Sequence, residues 1–412
     1  MNDFDFCPKT LSRIHIGPLS CYINSYLKIL HDQGYASKSA GLQVRLIADL
    51  SRWLDDKGYS AAHVSPKLVD RYLKCRYQHF QKRTEDSAAL NRLIDLLRDM
   101  RVISFQPSTA IDTPIQRIVD SFRVYLRQER ALSPLTIYNQ TRFAREFLNE
   151  RFGSSRTIDL ARLRAQHVTG FVRRRAQNLS SKSAKVMTTA LRSFFRYLRY
   201  HGELNSDLAA CVPGVACWPL SEIPKYLESD QVRLVLKSCD RQSANGIRDY
   251  AVLLLLARLG LRASEVAFLK LEDIDWEEGR ITVFGKGGFR SQLPLPADVG
   301  AAIVTYLQKS RPRCPSRFVF IRAQAPRREF ISASTIGAIV RRAIARAGID
   351  SPRKGAHVLR HSLATRMLQQ GASLAEIGEI LRHHDPNTTA IYAKVDLAAL
   401  RRLAPAWPGG EA

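Results

Sequence analysis

Acidic residues are scarce in this chain, and long apolar runs are missing. Of its 412 residues only 38 are Asp or Glu against 63 Lys or Arg, a formal charge of +25. A field of that sign disfavours a neutral metabolite as the main partner and favours a polyanion, nucleic acid first. A membrane surface would also attract it. The longest apolar run, Ala251 to Ala257, is nevertheless far short of the ~20 residues that a bilayer-spanning helix needs. The opening MNDFDFCPKT has no basic start followed by an apolar stretch, so no secretory signal is expected. Cysteine is sparse as well: seven, at 7, 21, 75, 211, 217, 239 and 314, an odd number with no C-x-x-C pair. That argues against a disulfide framework and predicts reduced, mostly buried thiols in a cytoplasmic protein.

The length calls for two or three domains. Helical periodicity, as in Tyr26, Leu27, Leu30 and Leu46, Ile47, Leu50, Leu54, runs through the first hundred residues. A polar stretch, Ser104 to Pro114, reads as a linker. The helical pattern then resumes from Ile115 to Tyr200, with Phe122, Tyr125, Leu126 and Phe143, Phe147, Leu148. Gly34 to Lys38 before one helix resembles Ala131 to Leu135 before another, which points to a duplicated helical unit. A second break follows at Cys211 to Val215, with Pro219 and Pro224 behind it. The expected division is residues 1–105, 113–205 and 222–405.

The last of these regions should open with a helix capped by Ser229 or Asp230, followed by an apolar helix, Ile247 to Leu259, that Gly260 ends. Arg280 to Phe284 and Ser291 to Leu295 read as strands joined through Gly285, Gly287 and Gly288. The remainder is helical. The predicted class is mainly α with a small antiparallel β-sheet in the last domain.

That domain also gathers the polar residues. Arg262 follows a helix-ending glycine, Lys286 lies in a hairpin turn, His357, Arg360 and His361 sit on one segment, and His383 precedes Tyr392. Each is ordinary alone; a lone tyrosine on a helix is usually core. Together, two arginines, a lysine and two histidines suit a phosphodiester whose charge rises in the transition state. The arginine fork keeps its charge and offers two parallel donors to phosphate oxygens. His357 and Arg360, three apart, share a helix face. From Asp385 as cap and Pro386 as first residue a short helix is expected, with Tyr392 about two turns in.

Four strings carry a resemblance: Leu259 to Val266 around Arg262, Gly285-Lys286-Gly287, His357-Val358-Leu359-Arg360-His361, and His383 to Tyr392. In order and spacing they resemble the tyrosine recombinases, or phage-integrase family, over roughly Glu228 to Val395. The unit from Ile115 to Tyr200 more loosely resembles that family's core-binding domain, and both N-terminal helical regions are expected to be SAM-like. Residues up to about 102 match nothing nameable.

The resemblance implies a site-specific recombinase or integrase. Tyr392 would attack a backbone phosphate, giving a 3′-phosphotyrosine link and a free 5′-hydroxyl, and the step is reversible without metal, water or nucleotide cofactor. Arg262 and Arg360 would neutralise the non-bridging oxygens. His357 and His383 would bond them or help remove the tyrosine proton, and Lys286 would protonate the leaving oxygen. Glu265 corresponds to the family's supporting acid. The implied partners are double-stranded DNA, further copies of the chain in a tetramer on two DNA sites, with the tail after Tyr392 docking between copies, and a partner recombinase. Integration, excision, transposition and dimer resolution all stay open. One departure is Arg382 where the family usually has glycine, which predicts a different turn backbone. His384 competes with His383, and His383 is preferred for its distance from Tyr392; His361 is expected to pack rather than to touch phosphate.

Blander readings exist for each feature. The pairs His357/His361 and His383/His384 resemble zinc ligands, but there is no H-E-x-x-H and no cysteine cluster, and Arg360 would face the ion. Residues 117 to 199 hold 18 Lys+Arg and 5 Asp+Glu. Within them Lys182, Lys185, Arg192, Arg196 and Arg199 form a helical stripe opposite Leu191, Phe194 and Leu198. A solvated face looks the same, but with this net charge phosphate contacts are expected, from Lys182, Lys185, Arg192 and Arg196 above all. Two rival functions remain, a type IB topoisomerase and a catalytically idle DNA-binding protein.

Overall fold

The computed structural model describes residues 16–104, 113–153, 157–216, 223–285, 287–395 and 400–401. The chain packs as two bodies, one of residues 1–104 with 222–412 and one of residues 105–221.

In the first body, residues up to 104 form α1 (Ile23–Asp32), α2 (Ser37–Asp56), α3 (Pro66–Arg76) and α4 (Asp86–Asp99). Ser65 accepts from the Leu68 N–H and Pro66 holds the first helical position, so α3 starts where capping chemistry dictates. The apolar faces of α2 and α4, with Val44, Ile47, Leu50, Leu90, Leu93 and Leu97, close a core of their own.

The second body has α5 (Pro114–Gln128), α6 (Pro134–Phe152), α7 (Ala165–Ala176) and α8 (Ser181–Tyr200). Thr113, Ser133 and Ser180 cap three of these helices. Its core is aromatic: Phe147 meets Phe171 and Phe195 edge-on at 5.4 and 5.3 Å, and the buried set extends to Val212. A 3₁₀ turn precedes the third helix of each group, Ala61–His63 before α3 and Leu160–Arg162 before α7. The two groups thus repeat one order of elements, offset by roughly a hundred residues.

From residue 223 onward the first body continues with α9 (Ser229–Lys237), α10 (Ala244–Leu259) and α11 (Ala263–Ala267). Three strands follow, β1 (Ile274–Asp275), β2 (Arg280–Phe284) and β3 (Arg290–Pro294), and then α12 (Ala297–Lys309), α13 (Ser334–Arg346), α14 (His357–Gln369) and α15 (Leu374–Leu381). The cap of α9 is Glu228, not Ser229 or Asp230, because the Glu228 N–H finds Gln231 Oε1 at 3.0 Å while Asp230 pairs with Arg233. Helix α10 runs through the core with Ala251 to Leu256 buried, and its buried Arg248 and Asp249 pair with each other at 2.7 Å. The sheet order is β1-β2-β3, antiparallel, with Val283 opposite Ser291 and Phe284 opposite Arg290. Two-residue β1 had no pattern long enough to show in sequence.

The fold is mainly α with a small antiparallel sheet. Among the described residues no helix is long and apolar enough to cross a membrane. The cysteines correct an expectation. Of the five described, Cys239 alone is buried, while Cys21, in a short 3₁₀ turn, and Cys75, off the face of α3 that buries Val69, Tyr72 and Leu73, are exposed.

Candidate active site

Helix ends supply this site. At the end of α10, Gly260 takes a left-handed conformation (φ +57°), and a Cβ there would stand 2.7 Å from Leu381 Cδ2 and 3.0 Å from Leu363 Cδ2. Only glycine permits both the reversal and that approach. The chain then re-enters a helix with Arg262 at the extended N-cap of α11. The Arg262 N–H donates to Glu265 Oε2 (2.8 Å), its Nη1 to Glu265 Oε1 (2.7 Å) and its Nη2 to the Arg382 carbonyl (3.2 Å).

Arg360, in the first turn of α14, is 4% exposed. Its Nη1 donates to the carbonyl of Gly260 and its Nη2 to that of Leu381. Both carbonyls sit at helix C-termini, where the backbone dipole is negative, so the buried cation lies between two ends that favour it. His357 opens α14, and the ring centre of His361 is 6.4 Å from its own.

The segment after α15 differs from the expected helix. Asp385 caps it and Pro386 is its first residue, as read, but it breaks into two 3₁₀ turns, Pro386–Thr388 and Ala390–Val395, with Tyr392 on the second. The β-branched pair Thr388-Thr389 does not favour continuous helix, and the buried Thr389 instead shares a hydrogen bond between its Oγ1 and His383 Nδ1, 2.7 Å apart. Tyr392 is 1% exposed, packed with Leu363, Ala364, Ile377 and Leu381. Its hydroxyl is 2.9 Å from Nδ1 of His361.

The phage integrase family model matches residues 225–398, and the model of that family's N-terminal SAM-like domain matches 119–202. A putative integrase/recombinase of Sinorhizobium fredii, y4rA, is 49% identical over 400 residues, 97% of either chain. The tyrosine recombinase XerD of Listeria innocua is 30% identical over 292 residues, 69% of this chain and 96% of that one. This chain belongs to the phage integrase family. It is a tyrosine-type site-specific DNA recombinase. Solved structures share its fold: XerH bound to palindromic difH substrate (TM-score 0.52, 23% identity, 70% of this chain and 84% of that one) and a lambda integrase dimer on a COC′ core site (0.54, 15%, 72% and 98%).

In this recombinase the structure groups Arg262, His357, Arg360, His383 and Tyr392 on adjoining helix ends. Lys286 lies outside the described residues. Its neighbour Gly285 is beside Arg262, whose Nη1 would be 3.8 Å from a Cβ built there. His384 is exposed with its ring on Phe289, 4.5 Å between centres, away from the arginines that surround His383. Arg382 corrects an expectation about the backbone. The turn does not differ from a glycine turn, because Arg382 itself adopts the left-handed state (φ +57°, ψ +50°). Sequence reasoning missed two partners, His361 for Tyr392 and Arg382 for Glu265. The spacing of His361 one helical turn after His357 was the available signal for the first.

The electrostatics follow from burial among cations. Burial, then His357 and Arg360, lower His361 to about 4. Burial, then Arg360 and Arg262, lower His383 to about 4, and His357 moves the same way from the same causes. All three are neutral at physiological pH. Burial and then Arg262 bring Arg360 down to about 10, still a cation. Burial pushes Tyr392 up to about 12, against a smaller pull from Arg360, so its hydroxyl is protonated at rest. Burial raises the Glu265 carboxyl, but Arg382 and Arg262 more than reverse this and hold it below the usual carboxylate range.

On α8, Lys182, Lys185, Arg196 and Arg199 are exposed. Arg192 is half-buried and turns its Nη2 to the carbonyls of Val212 (2.9 Å) and Pro213 (3.2 Å), and Arg199 pairs with Asp207 at 3.0 Å.

Proposed function

We propose that this recombinase breaks and rejoins duplex DNA through a phosphotyrosine at Tyr392, in the exchange of a mobile element between DNA sites. The observation that carries the reading is that Arg262, Arg360 and His383 converge beside the pocket that buries the Tyr392 hydroxyl. Attack forms a bond from Tyr392 Oη to phosphorus and breaks the bond to the 5′-oxygen. The 3′-phosphoryl stays on the enzyme, the tyrosine proton is lost to a neutral histidine, and the leaving oxygen takes a proton from Lys286. Attack by the 5′-hydroxyl of a partner strand reverses every step, with no hydrolysis and no cofactor.

Three arginines against one carboxylate leave a surplus of positive charge in a dry setting, where it stabilises a pentavalent phosphorane most. Neutral His357 and His383 donate hydrogen bonds to the same oxygens. His361 holds the Tyr392 hydroxyl at rest, and the short 3₁₀ turn that carries Tyr392 must shift before an in-line phosphate can meet a group this buried. Lys182, Lys185 and Arg196 contact DNA phosphates and set position without reading sequence. Double-stranded DNA is thus the partner, with further copies of the chain, four on two sites, completing the exchange. Identity to XerD over nearly its full length favours recombination over a single-duplex topoisomerase. The test is Tyr392→Phe on a nicked suicide duplex: covalent capture should vanish with duplex affinity kept within a few-fold, and equal covalent yield from the variant would end the assignment.

A further inference from the structure

Arg382 breaks a local rule, and its side chain shows why that is tolerated. Among the described residues only Arg101, Ala131 and Arg382 hold a positive φ without being glycine. A glycine would close α15 at lower cost, because a Cβ crowds the following carbonyl in the left-handed state. An arginine kept there only as a cap would point its charge into water. Instead its side chain is 8% exposed, and Nη2 donates to Glu265 Oε2 at 2.9 Å.

Glu265, 1% exposed, is the hub. Its Oε1 takes Arg262 Nη1, and its Oε2 takes both the Arg262 N–H and Arg382 Nη2. Arg262 in turn donates Nη2 to the Arg382 carbonyl, so the three residues form a closed ring. A buried carboxylate facing a single guanidinium would make a neutral, two-pronged pair with it and draw its fork inward. Shared between two guanidiniums, the same carboxylate leaves one positive charge over, in a medium that screens it poorly. A further donor is unspent, since Arg382 Nε is buried with no partner among the described residues.

We propose that Arg382 is a positioning residue for Arg262: by sharing Glu265 it holds the Arg262 guanidinium in place and leaves its charge uncompensated, with its remaining N–H donors turned to the scissile phosphate. The proposal rests on the reading that Arg262 neutralises that phosphate. It adds to the family pattern, in which glycine occupies the place of Arg382.

The experiment uses the full-length protein in single-turnover covalent capture on a nicked duplex, at saturating DNA. Wild type is compared with Arg382→Gly and Arg382→Lys, and Tyr392→Phe serves as the blank. A second substrate carries a methyl group in place of one non-bridging oxygen at the scissile phosphate, which removes its charge. Arg382→Gly should cleave ordinary DNA about tenfold more slowly, with duplex affinity within twofold. Arg382→Lys should recover part of the rate, and the deficit of Arg382→Gly should shrink on the methyl-substituted DNA. Wild-type cleavage by Arg382→Gly, or an equal deficit on both substrates, overturns the proposal. If Arg382→Gly fails to fold, the lysine variant decides it by the same two-substrate comparison. Capture that survives in Tyr392→Phe would instead sink the underlying assignment, a separate outcome.

Discussion

Along α8 the basic side chains stand outward on one helix face, whereas around Tyr392 three arginines are turned inward at the ends of helices. On the proposed reading the outward set meets DNA phosphates through water and works as a screened field. The inward set is desolvated, tied to backbone carbonyls and to one carboxylate, and works through geometry. Losing an outward charge should therefore weaken encounter, and losing an inward one should disable chemistry. The contrast also separates residues of one type: Arg192, on the outward helix, is spent on two carbonyls and belongs with the structural arginines.

The largest effect that tests this contrast is expected from Arg360→Ala. It strips donors from the carbonyls of Gly260 and Leu381 together. Capture should fall at least about a hundredfold and stability by about 2–3 kcal/mol, with duplex affinity barely moved, as read by single-turnover assay, thermal unfolding and DNA titration. Affinity loss as large as the rate loss would erase the distinction between the two sets.

The combined change Lys182→Ala, Lys185→Ala and Arg196→Ala should do the reverse. Duplex binding weakens, and the slope of log affinity against log salt falls by roughly one for each phosphate contact removed, while cleavage recovers at high DNA concentration. Arg192→Ala should lower stability by about 1 kcal/mol and leave the salt slope alone. A slope that drops for Arg192→Ala as it does for the triple variant would return Arg192 to the DNA-facing set.

A smaller effect is set by protonation. His361 and His383, lowered from 6.5 to about 4, take up protons on unfolding. Stability is therefore full above about pH 6.5 and drains away as pH falls toward 4. Tyr392, raised from 10 to about 12, adds stability that is present below pH 10 and is lost as pH rises toward 12. Thermal unfolding across pH should show both limbs, and His361→Asn should flatten the acid one. An acid limb unchanged in that variant would mean that His361 is not buried as described.

Much of the site was legible because its residues sit at punctuation. Gly260 ends a helix where an apolar run meets glycine, and the spacing of His357 and Arg360 puts both on one turn. What could not be read is what depends on long-range approach. That Arg360 bridges the ends of α10 and α15, that His361 meets Tyr392, and that Arg382 reaches Glu265 are contacts between segments far apart in sequence. The exposure of Cys21 and Cys75, and the turn of Arg192 toward Val212, were hidden for the same reason: composition gives a residue's preference, and packing decides its use.

On this account Tyr392 carries the covalent bond. Duplex trapped on the purified recombinase, digested with protease and analysed by mass spectrometry, should yield a single DNA adduct on the peptide containing Tyr392, joined to a 3′-phosphate and leaving a 5′-hydroxyl that a kinase can label. An adduct on another residue, or a bond to a 5′-phosphate, would contradict the account.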